Sequence, residues 1–165
     1  MKTEIWNCAT TWEAQSNELL LLRVFSTRHG ANVIRLSSPA SRKPKNMPER
    51  VQQEMDDWFE HHFGIRFRQR AIFSTGCLDV ASDYAGDYGE VRALRPAAEF
   101  CFCWSRTCID LYGAWAAHPR AHPGDPVATL LDSLDFTCED LGSALRSGHE
   151  IMLVCSSIEA TIFNH

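Results

Sequence analysis

Four residues whose types could support chemistry lie at the edges of hydrophobic segments of the 165-residue sequence. Arg35 lies within N-V-I-R-L-S-S, Ser74 and Thr75 follow A-I-F, and Glu150 directly precedes I-M-L-V. Each hydrophobic segment is typical of a short strand that ends in a turn. An arginine, a pair of hydroxyls and a late glutamate can act on one ligand only if the fold brings these strand ends together.

The order of these residues resembles the R-S-E arrangement of the mono-ADP-ribosyltransferase superfamily, over about residues 33–154. F-S-T-G, followed by a helix that carries Ala81 and Tyr84, is similar to the hydroxyl motif of that family. G-H-E-I-M-L-V is similar to its glutamate motif. The stretch from R-K-P-K-N through F-C-W-S to D-L-Y also resembles uncharacterised phage-encoded proteins.

The resemblance implies that NAD is the co-substrate and that ADP-ribose is transferred to an unidentified macromolecular acceptor, such as a protein. Glu150 would stabilise the positive charge that develops on the ribose when its bond to nicotinamide breaks. Arg35 would bind the phosphates of NAD through a bidentate guanidinium. Ser74 would hold Glu150 and the nicotinamide ribose, and Thr75 and Tyr84 are further candidates for NAD binding.

One position departs from the pattern of transferases that modify arginine. Those enzymes carry a second acidic residue or a glutamine two positions before the catalytic glutamate, where this sequence has Gly148. The acceptor therefore stays open, and so does a non-catalytic alternative on the same fold, a binding or inhibitor protein such as a phage accessory or anti-defence factor. An apolar patch of Trp6, Tyr112 and Trp115 without a cleft at Glu150 would favour that alternative.

Composition and charge narrow the class of protein. With 45% hydrophobic and 22% charged residues, the chain can bury a core, and we expect a single domain over residues 1–165. The net charge of -5 repels polyanions at long range, so nucleic acid is not an expected partner. Six basic residues form either a solvated face or a positive rim that attracts the phosphates of a dinucleotide or an acidic partner: Arg42, Lys43, Lys45, Arg66, Arg68 and Arg70.

Cysteine usage and apolar runs indicate the compartment. The seven cysteines are an odd number without the spacing of a disulfide scaffold, so we expect reduced, buried thiols. Their spacing is also poor for zinc, and no metal site is predicted. The longest apolar run, residues 19–22, is too short to span a bilayer, and no signal-peptide pattern precedes it. We therefore expect a cytoplasmic protein.

The N-terminal half contains the clearest periodic pattern. Apolar spacing predicts a first helix over residues 11–28, and a β-branched segment predicts a strand over residues 32–38. Pro, Ser and basic residues predict an exposed loop over residues 39–48. Pro48 then begins a strongly amphipathic helix that ends at Gly64.

The rest of the chain is predicted as shorter elements. Residues 66–73 are predicted as a strand whose arginines share one face. The further elements are a helix over 78–85, strands over 90–94 and 100–105, helical spacing over 109–115, a loop over 117–126, a helix over 127–145, and closing strands over 150–156 and 160–163 that form a hairpin turning at residues 157–158.

These elements predict an α+β fold with two small, mostly antiparallel sheets around a cleft and flanking helices. No glycine-rich phosphate loop follows a strand, so Rossmann and P-loop folds are disfavoured. The resemblance implies that this fold is ADP-ribosyltransferase-like.

Overall fold

The computed structural model describes residues 4–26, 28–85, 89–121 and 126–163. It confirms the predicted class: helices flank two small antiparallel sheets. The helices are α1 (Trp12–Ser16), α2 (Glu49–Phe63), α3 (Phe67–Arg70), α4 (Leu78–Ala85), α5 (Leu111–Ala121), α6 (Val127–Asp132) and α7 (Leu141–Ser147). The strands are β1 (Leu21–Phe25), β2 (Val33–Leu36), β3 (Ile72–Ser74), β4 (Glu90–Pro96), β5 (Phe100–Ser105), β6 (Phe136–Thr137), β7 (Ile151–Cys155) and β8 (Ile158–Ile162).

Each sheet has four strands. The first has the order β1-β4-β8-β2 and the second has the order β3-β7-β5-β6, and every strand pair is antiparallel. The sheets meet where the backbones of Leu22 in β1 and Thr75 after β3 exchange hydrogen bonds of 2.7 and 2.9 Å. This junction brings the end of β3 beside the first strand of the other sheet.

The second sheet forms the middle layer of the core. Every residue of β5 is buried, because alternate side chains of a strand point to opposite faces and both faces are covered. Phe100, Phe102 and Trp104 pack toward the first sheet, α1 and α7. Cys101 and Cys103 pack toward α2, α3 and α6. All seven cysteines are free thiols, and four of them are buried as the sequence predicts.

The amphipathic helix predicted after Pro48 is confirmed as α2. Val51, Met55 and Phe59 are buried along one face, as the helical spacing requires. Gly64 ends the helix with φ of 84°, a left-handed conformation that glycine adopts without steric cost. The strand predicted over residues 32–38 is confirmed as β2, and residues 39–48 form neither helix nor strand. No helix in the described part of the chain is both long enough and apolar enough to cross a membrane.

The helix predicted over residues 11–28 is wrong beyond Ser16. Asn17 and Glu18 have φ of 52° and 66°, which ends the helix. Residues 21–25 then pair with β4 as strand β1. The leucines of this segment are compatible with both the helical and the strand periodicity. Pairing with β4, which is distant in sequence, makes the segment a strand.

The strand predicted over residues 66–73 is also wrong in its first part. Residues 67–70 form the short helix α3, and only residues 72–74 form a strand. The three arginines therefore share no strand face. Arg68 is buried, whereas Arg66 and Arg70 are partly exposed. Asp56 of α2 accepts a hydrogen bond of 2.8 Å from the backbone N–H of Arg68, a contact that no local pattern announces.

Three predictions near the C-terminal end need correction. The loop predicted over residues 117–126 is helical up to Ala121, and residues 122–125 lie outside the described residues. The helix predicted over residues 127–145 is divided into α6 and α7, with β6 between them. The closing strands are not a hairpin, because β7 and β8 belong to different sheets.

Candidate active site

A cleft of about 600 Å³ opens where the two sheets meet. Glu150, Ser74 and Thr75 line it, so three of the residues singled out in the sequence come together. The walls are completed by β1, the loop before α2, α3, α4 and the segment before α5.

Glu150 is held firmly at the entry to β7. Its backbone N–H donates to the carbonyl oxygen of Ile109 at 2.7 Å. Its carboxylate oxygen Oε1 accepts a hydrogen bond from Nη1 of Arg68 at 2.8 Å, and its side chain is 21% exposed. The carboxylate is therefore fixed in orientation while part of it still faces the cleft.

The two hydroxyls fix the backbone on either side of Glu150. Ser74 Oγ donates to the carbonyl oxygen of Ile151 at 2.9 Å. Thr75 Oγ1 donates to the carbonyl oxygen of Gly148 at 3.1 Å. Ser74 is thus positioned to support Glu150 through the main chain of β7, rather than through the carboxylate itself.

Arg68 connects Glu150 to the protein interior. Its side chain is only 8% exposed, and its guanidinium carbon lies 4.3 Å from the centroid of the Phe73 ring. The Nε atom of Arg68 is buried and has no hydrogen-bond partner. A cation held between a carboxylate and an aromatic ring gains electrostatic stabilisation from both, which explains how it tolerates burial.

Asp56 stands behind Arg68. It is 1% exposed, and it accepts the backbone N–H of Arg68 at the start of α3. Burial raises the pKa of Asp56 to about 6, against the opposing effects of hydrogen bonds and of the positive charges of Arg66 and Arg68. The carboxylate therefore connects α2 to the arginine that orients Glu150.

Two further arginines give the cleft a positive charge. Arg23 Nη1 donates to the carbonyl oxygen of Phe73 at 2.9 Å, and burial lowers the pKa of Arg23. The guanidinium carbon of Arg42 lies 3.8 Å from the centroid of the same Phe73 ring. Burial, together with repulsion from Arg68 and Arg23, lowers the pKa of Arg42 to about 10. Lys43 and Lys45 also line the cleft, and the cationic residues outnumber the lining acids Glu150 and Asp110.

Arg35 does not line the cleft. It lies on β2, at the edge of the first sheet, with its side chain 61% exposed. It donates to Glu159 Oε1 at 2.8 Å and to Ser157 Oγ at 3.0 Å. Tyr84 lies on α4, and its side chain is outside the described part of the structure.

Gly148 has a structural reason to be glycine. It follows α7 with φ of 75°, the left-handed conformation that side chains with a Cβ rarely adopt. A Cβ at this position would also lie 3.3 Å from Cβ of Cys77. An acidic residue here would therefore disturb the end of α7 and the turn that presents Glu150.

Sequence reasoning missed Arg23 and Asp56 as site residues, and it placed Arg68 on a positive rim but not beside Glu150. The only sequence signal for Arg23 was a single arginine within the hydrophobic segment L-L-L-R-V-F. That segment can be recognised as a strand only when its pairing with β4 is known. Arg68 and Asp56 are brought together by the packing of α2 on α3, and no motif marks them. The predicted positive rim is partly present, because Arg42, Lys43, Lys45 and Arg68 line the cleft.

An apolar rim accompanies the charged lining. Ile109 is 66% exposed and Tyr112 is 41% exposed, and both line the cleft. The ring centroids of Trp115 and Tyr112 lie 6.0 Å apart. Trp6 and Trp115 are both partly buried against the core cluster that includes α2. Of the three aromatic residues only Tyr112 is exposed, so they do not form one exposed patch, and Glu150 does lie in a cleft.

Comparisons of the chain with protein-family models, with curated proteins and with solved structures found no match. The residues of the cleft themselves are therefore what bears on function. They offer one oriented carboxylate, three guanidinium groups and a rim with exposed apolar side chains. Such a lining suits a ligand that carries negative charge and that develops positive charge near Glu150 during a reaction.

Proposed function

We propose that the protein is an NAD-dependent mono-ADP-ribosyltransferase with an ADP-ribosyltransferase-like fold, and that the cleft binds NAD. The observation that carries this proposal is the oriented carboxylate of Glu150 in a cationic cleft of about 600 Å³. A cleft of this size is large enough for a ligand of drug-like dimensions. The hydroxyl groups of Ser74 and Thr75 hold the main chain at the start of β7 through hydrogen bonds to the carbonyl oxygens of Ile151 and Gly148.

In this proposal Arg23 binds the phosphates of NAD, in place of Arg35. Arg23 lies on β1, ahead of the residues over which the R-S-E resemblance extends, so its assignment depends on its place in the cleft. Arg23 lines the cleft together with Ser74 and Glu150, whereas Arg35 is paired with Glu159 outside it. The N–H groups of Arg23 that do not bond to Phe73 can donate to phosphate oxygens.

Glu150 supplies the electrostatic part of the reaction. When the bond between the ribose and nicotinamide breaks, the bonding electrons leave with the nicotinamide nitrogen and positive charge develops on the sugar. A carboxylate fixed beforehand stabilises that charge more strongly in the transition state than in the ground state. The ion pair with Arg68 holds the carboxylate in one orientation at 2.8 Å.

The test is direct. Purified protein incubated with NAD should release nicotinamide, and mass spectrometry of macromolecules from expressing cells should detect added ADP-ribose. Nicotinamide release should fall about a hundredfold or more in the Glu150→Gln variant, and the amount of added ADP-ribose should fall with it. A wild-type protein that neither binds nor consumes NAD would rule the proposal out.

A non-catalytic binding protein is the second candidate, and one observation favours it. Glu150 is already paired with Arg68, and Ser74 directs its hydroxyl to the backbone, so these two side chains have partners without a substrate. Under this alternative the cleft binds an anionic ligand and releases it unchanged. Saturable binding of NAD without any nicotinamide release would identify it.

A further inference from the structure

We propose that the acceptor is an acidic segment of a protein, and that Arg42 and Arg68 bind the carboxylate that receives ADP-ribose. This inference rests on the proposed transfer from NAD at Glu150, and it adds the chemical class of the acceptor. The positive charge of the cleft beside Glu150 supports this inference about the acceptor.

Two guanidinium groups are held against one aromatic ring next to Glu150. The guanidinium carbons of Arg42 and Arg68 lie 3.8 and 4.3 Å from the centroid of Phe73. Nη2 of Arg42 donates to the carbonyl oxygen of Arg68 at 3.4 Å, so the side chain of Arg42 also contacts the main chain of Arg68. Repulsion from Arg68 contributes to the lowered pKa of Arg42, and an oxyanion bound beside the two arginines would relieve it.

Arg68 also has hydrogen-bonding capacity that the protein does not use. Its side chain is more than nine-tenths buried, lines the cleft, and carries an Nε–H without a partner. A buried donor without an acceptor costs free energy. A carboxylate that pairs with the guanidinium of Arg68 would offset part of this cost, and Arg42 would contribute further charge-assisted hydrogen bonds.

The same charges exclude other acceptors. A lysine or arginine side chain would be repelled by Arg42 and Arg68, and a long nucleic acid would be repelled by the net charge of -5 on the whole protein. The exposed side chains of Ile109 and Tyr112 lie on the cleft rim, where they can pack against an extended peptide on either side of its acidic residue.

A carboxylate acceptor also makes the transfer chemically simple. One carboxylate oxygen forms a bond to the ribose carbon as the bond from that carbon to the nicotinamide nitrogen breaks. The electron pair of the broken bond stays on nicotinamide, which leaves as a neutral molecule, and the product is an ester of ADP-ribose. The carboxylate is already ionised at neutral pH, so no proton has to be removed and no second acidic residue is needed at Gly148.

The experiment uses the full chain, labelled NAD and three short peptides that differ only in a central Glu, Gln or Arg, with a single-stranded oligonucleotide carrying a terminal phosphate as a fourth acceptor. Nicotinamide release and label transfer are measured in the same samples. We expect transfer to the Glu peptide alone. In Arg42→Gln the ratio of transfer to nicotinamide release should fall about tenfold or more, since a charge-assisted hydrogen bond is lost. Arg50→Gln removes the same charge from an 84% exposed side chain on α2 and should leave the ratio unchanged.

The outcomes separate this inference from the proposed function. Nicotinamide release with label on the Arg peptide, on the Gln peptide, on the oligonucleotide or on none of the four would overturn the acceptor class and leave the NAD reaction standing. Equal ratios in Arg42→Gln and wild type would also overturn the subsite. Absence of nicotinamide release in every sample would overturn the proposed function, and the acceptor inference would fall with it.

Discussion

At the scale of single residues, Glu150 should matter far more to turnover than to folding. Glu150→Gln keeps the shape of the side chain and its ability to accept from Arg68, but removes the negative charge. We expect nicotinamide release to fall about a hundredfold or more, the usual effect of losing an electrostatic contact to a transition state. The melting temperature and NAD affinity should change much less.

A matched control exists on the other sheet. Glu159 also pairs with an arginine at 2.8 Å, but outside the cleft. Glu159→Gln removes the same charge and breaks the same kind of ion pair, so its turnover should match that of the wild type. Equal turnover in Glu150→Gln and the wild type would remove Glu150 from the mechanism.

Arg23 and Arg35 offer a second comparison between the cleft and the surface. Arg23→Gln should weaken NAD binding about tenfold, because a phosphate contact present before and during the reaction supports affinity first. Arg35→Gln, at a position paired with Glu159, should leave affinity unchanged. Titration calorimetry with NAD measures both. A larger loss in Arg35→Gln would return the phosphate role to β2.

Asp56 makes stability depend on pH. Its pKa in the folded protein is about 6, above the ordinary value of 3.8, so the folded state prefers the protonated form. The stability that Asp56 contributes is therefore fully present below about pH 4 and is lost as the pH rises through 6. At pH 8 the ionised carboxylate costs about 3 kcal/mol.

Asp56→Asn should consequently be more stable than the wild type at pH 8, while the two should converge near pH 4. Asn can still accept the backbone N–H of Arg68 through its amide oxygen. Urea unfolding at both pH values measures the difference. A variant that is destabilised equally at the two pH values would show that the carboxylate charge is not what burial penalises.

At the scale of elements, the sequence was informative where a pattern is local and misleading where pairing is distant. The spacing of Val51, Met55 and Phe59 defines α2 without help from the rest of the chain. β1 could not be predicted in the same way, because its leucines fit a helix and only β4 makes the segment a strand. α3 depends likewise on Asp56, twelve positions before Arg68.

The candidate site likewise contains residues that local motifs predict and residues that only tertiary packing brings together. Ser74, Thr75 and Glu150 were predicted, because each directly flanks a hydrophobic strand and their motifs are short and contiguous. Arg23 was not predicted as a site residue, because its segment was assigned to a helix instead of a strand. Arg42 and Arg68 meet at Phe73 only after a loop, a helix and a strand have packed together, and no sequence spacing encodes that meeting.

The turn between β3 and α4 depends on Gly76. A Cβ at this position would overlap the backbone of Leu145 in α7, and a backbone cannot move aside as a flexible side chain can. We expect Gly76→Ala to destabilise the protein by about 3 kcal/mol, the upper range for overpacking. Gly30→Ala is the control, because nothing lies within 4 Å of its added methyl group. Similar unfolding midpoints for the two variants in urea would contradict this packing.

At the scale of the whole molecule, the cleft and the remaining surface have opposite charge. The net charge is -5, yet Arg23, Arg42 and Arg68 gather in one place. We expect NAD affinity to fall several-fold between about 0.05 M and about 0.5 M salt, because salt screens the attraction between these arginines and phosphate. Titration calorimetry at a series of salt concentrations measures this effect. Affinity independent of salt would show that the arginines do not contact phosphate.

The strand order also determines when the protein can fold during its synthesis. β7 is an inner strand of one sheet and β8 is an inner strand of the other, although the two are neighbours in the chain. Until residues 151–162 have left the ribosome, β3 lacks its partner β7, β2 lacks its partner β8, and β1 with β4 can form no more than a two-stranded ribbon. Such a ribbon is marginal in water. The second sheet therefore gains all its strands only once β7 has been translated, and the first sheet only once β8 has followed.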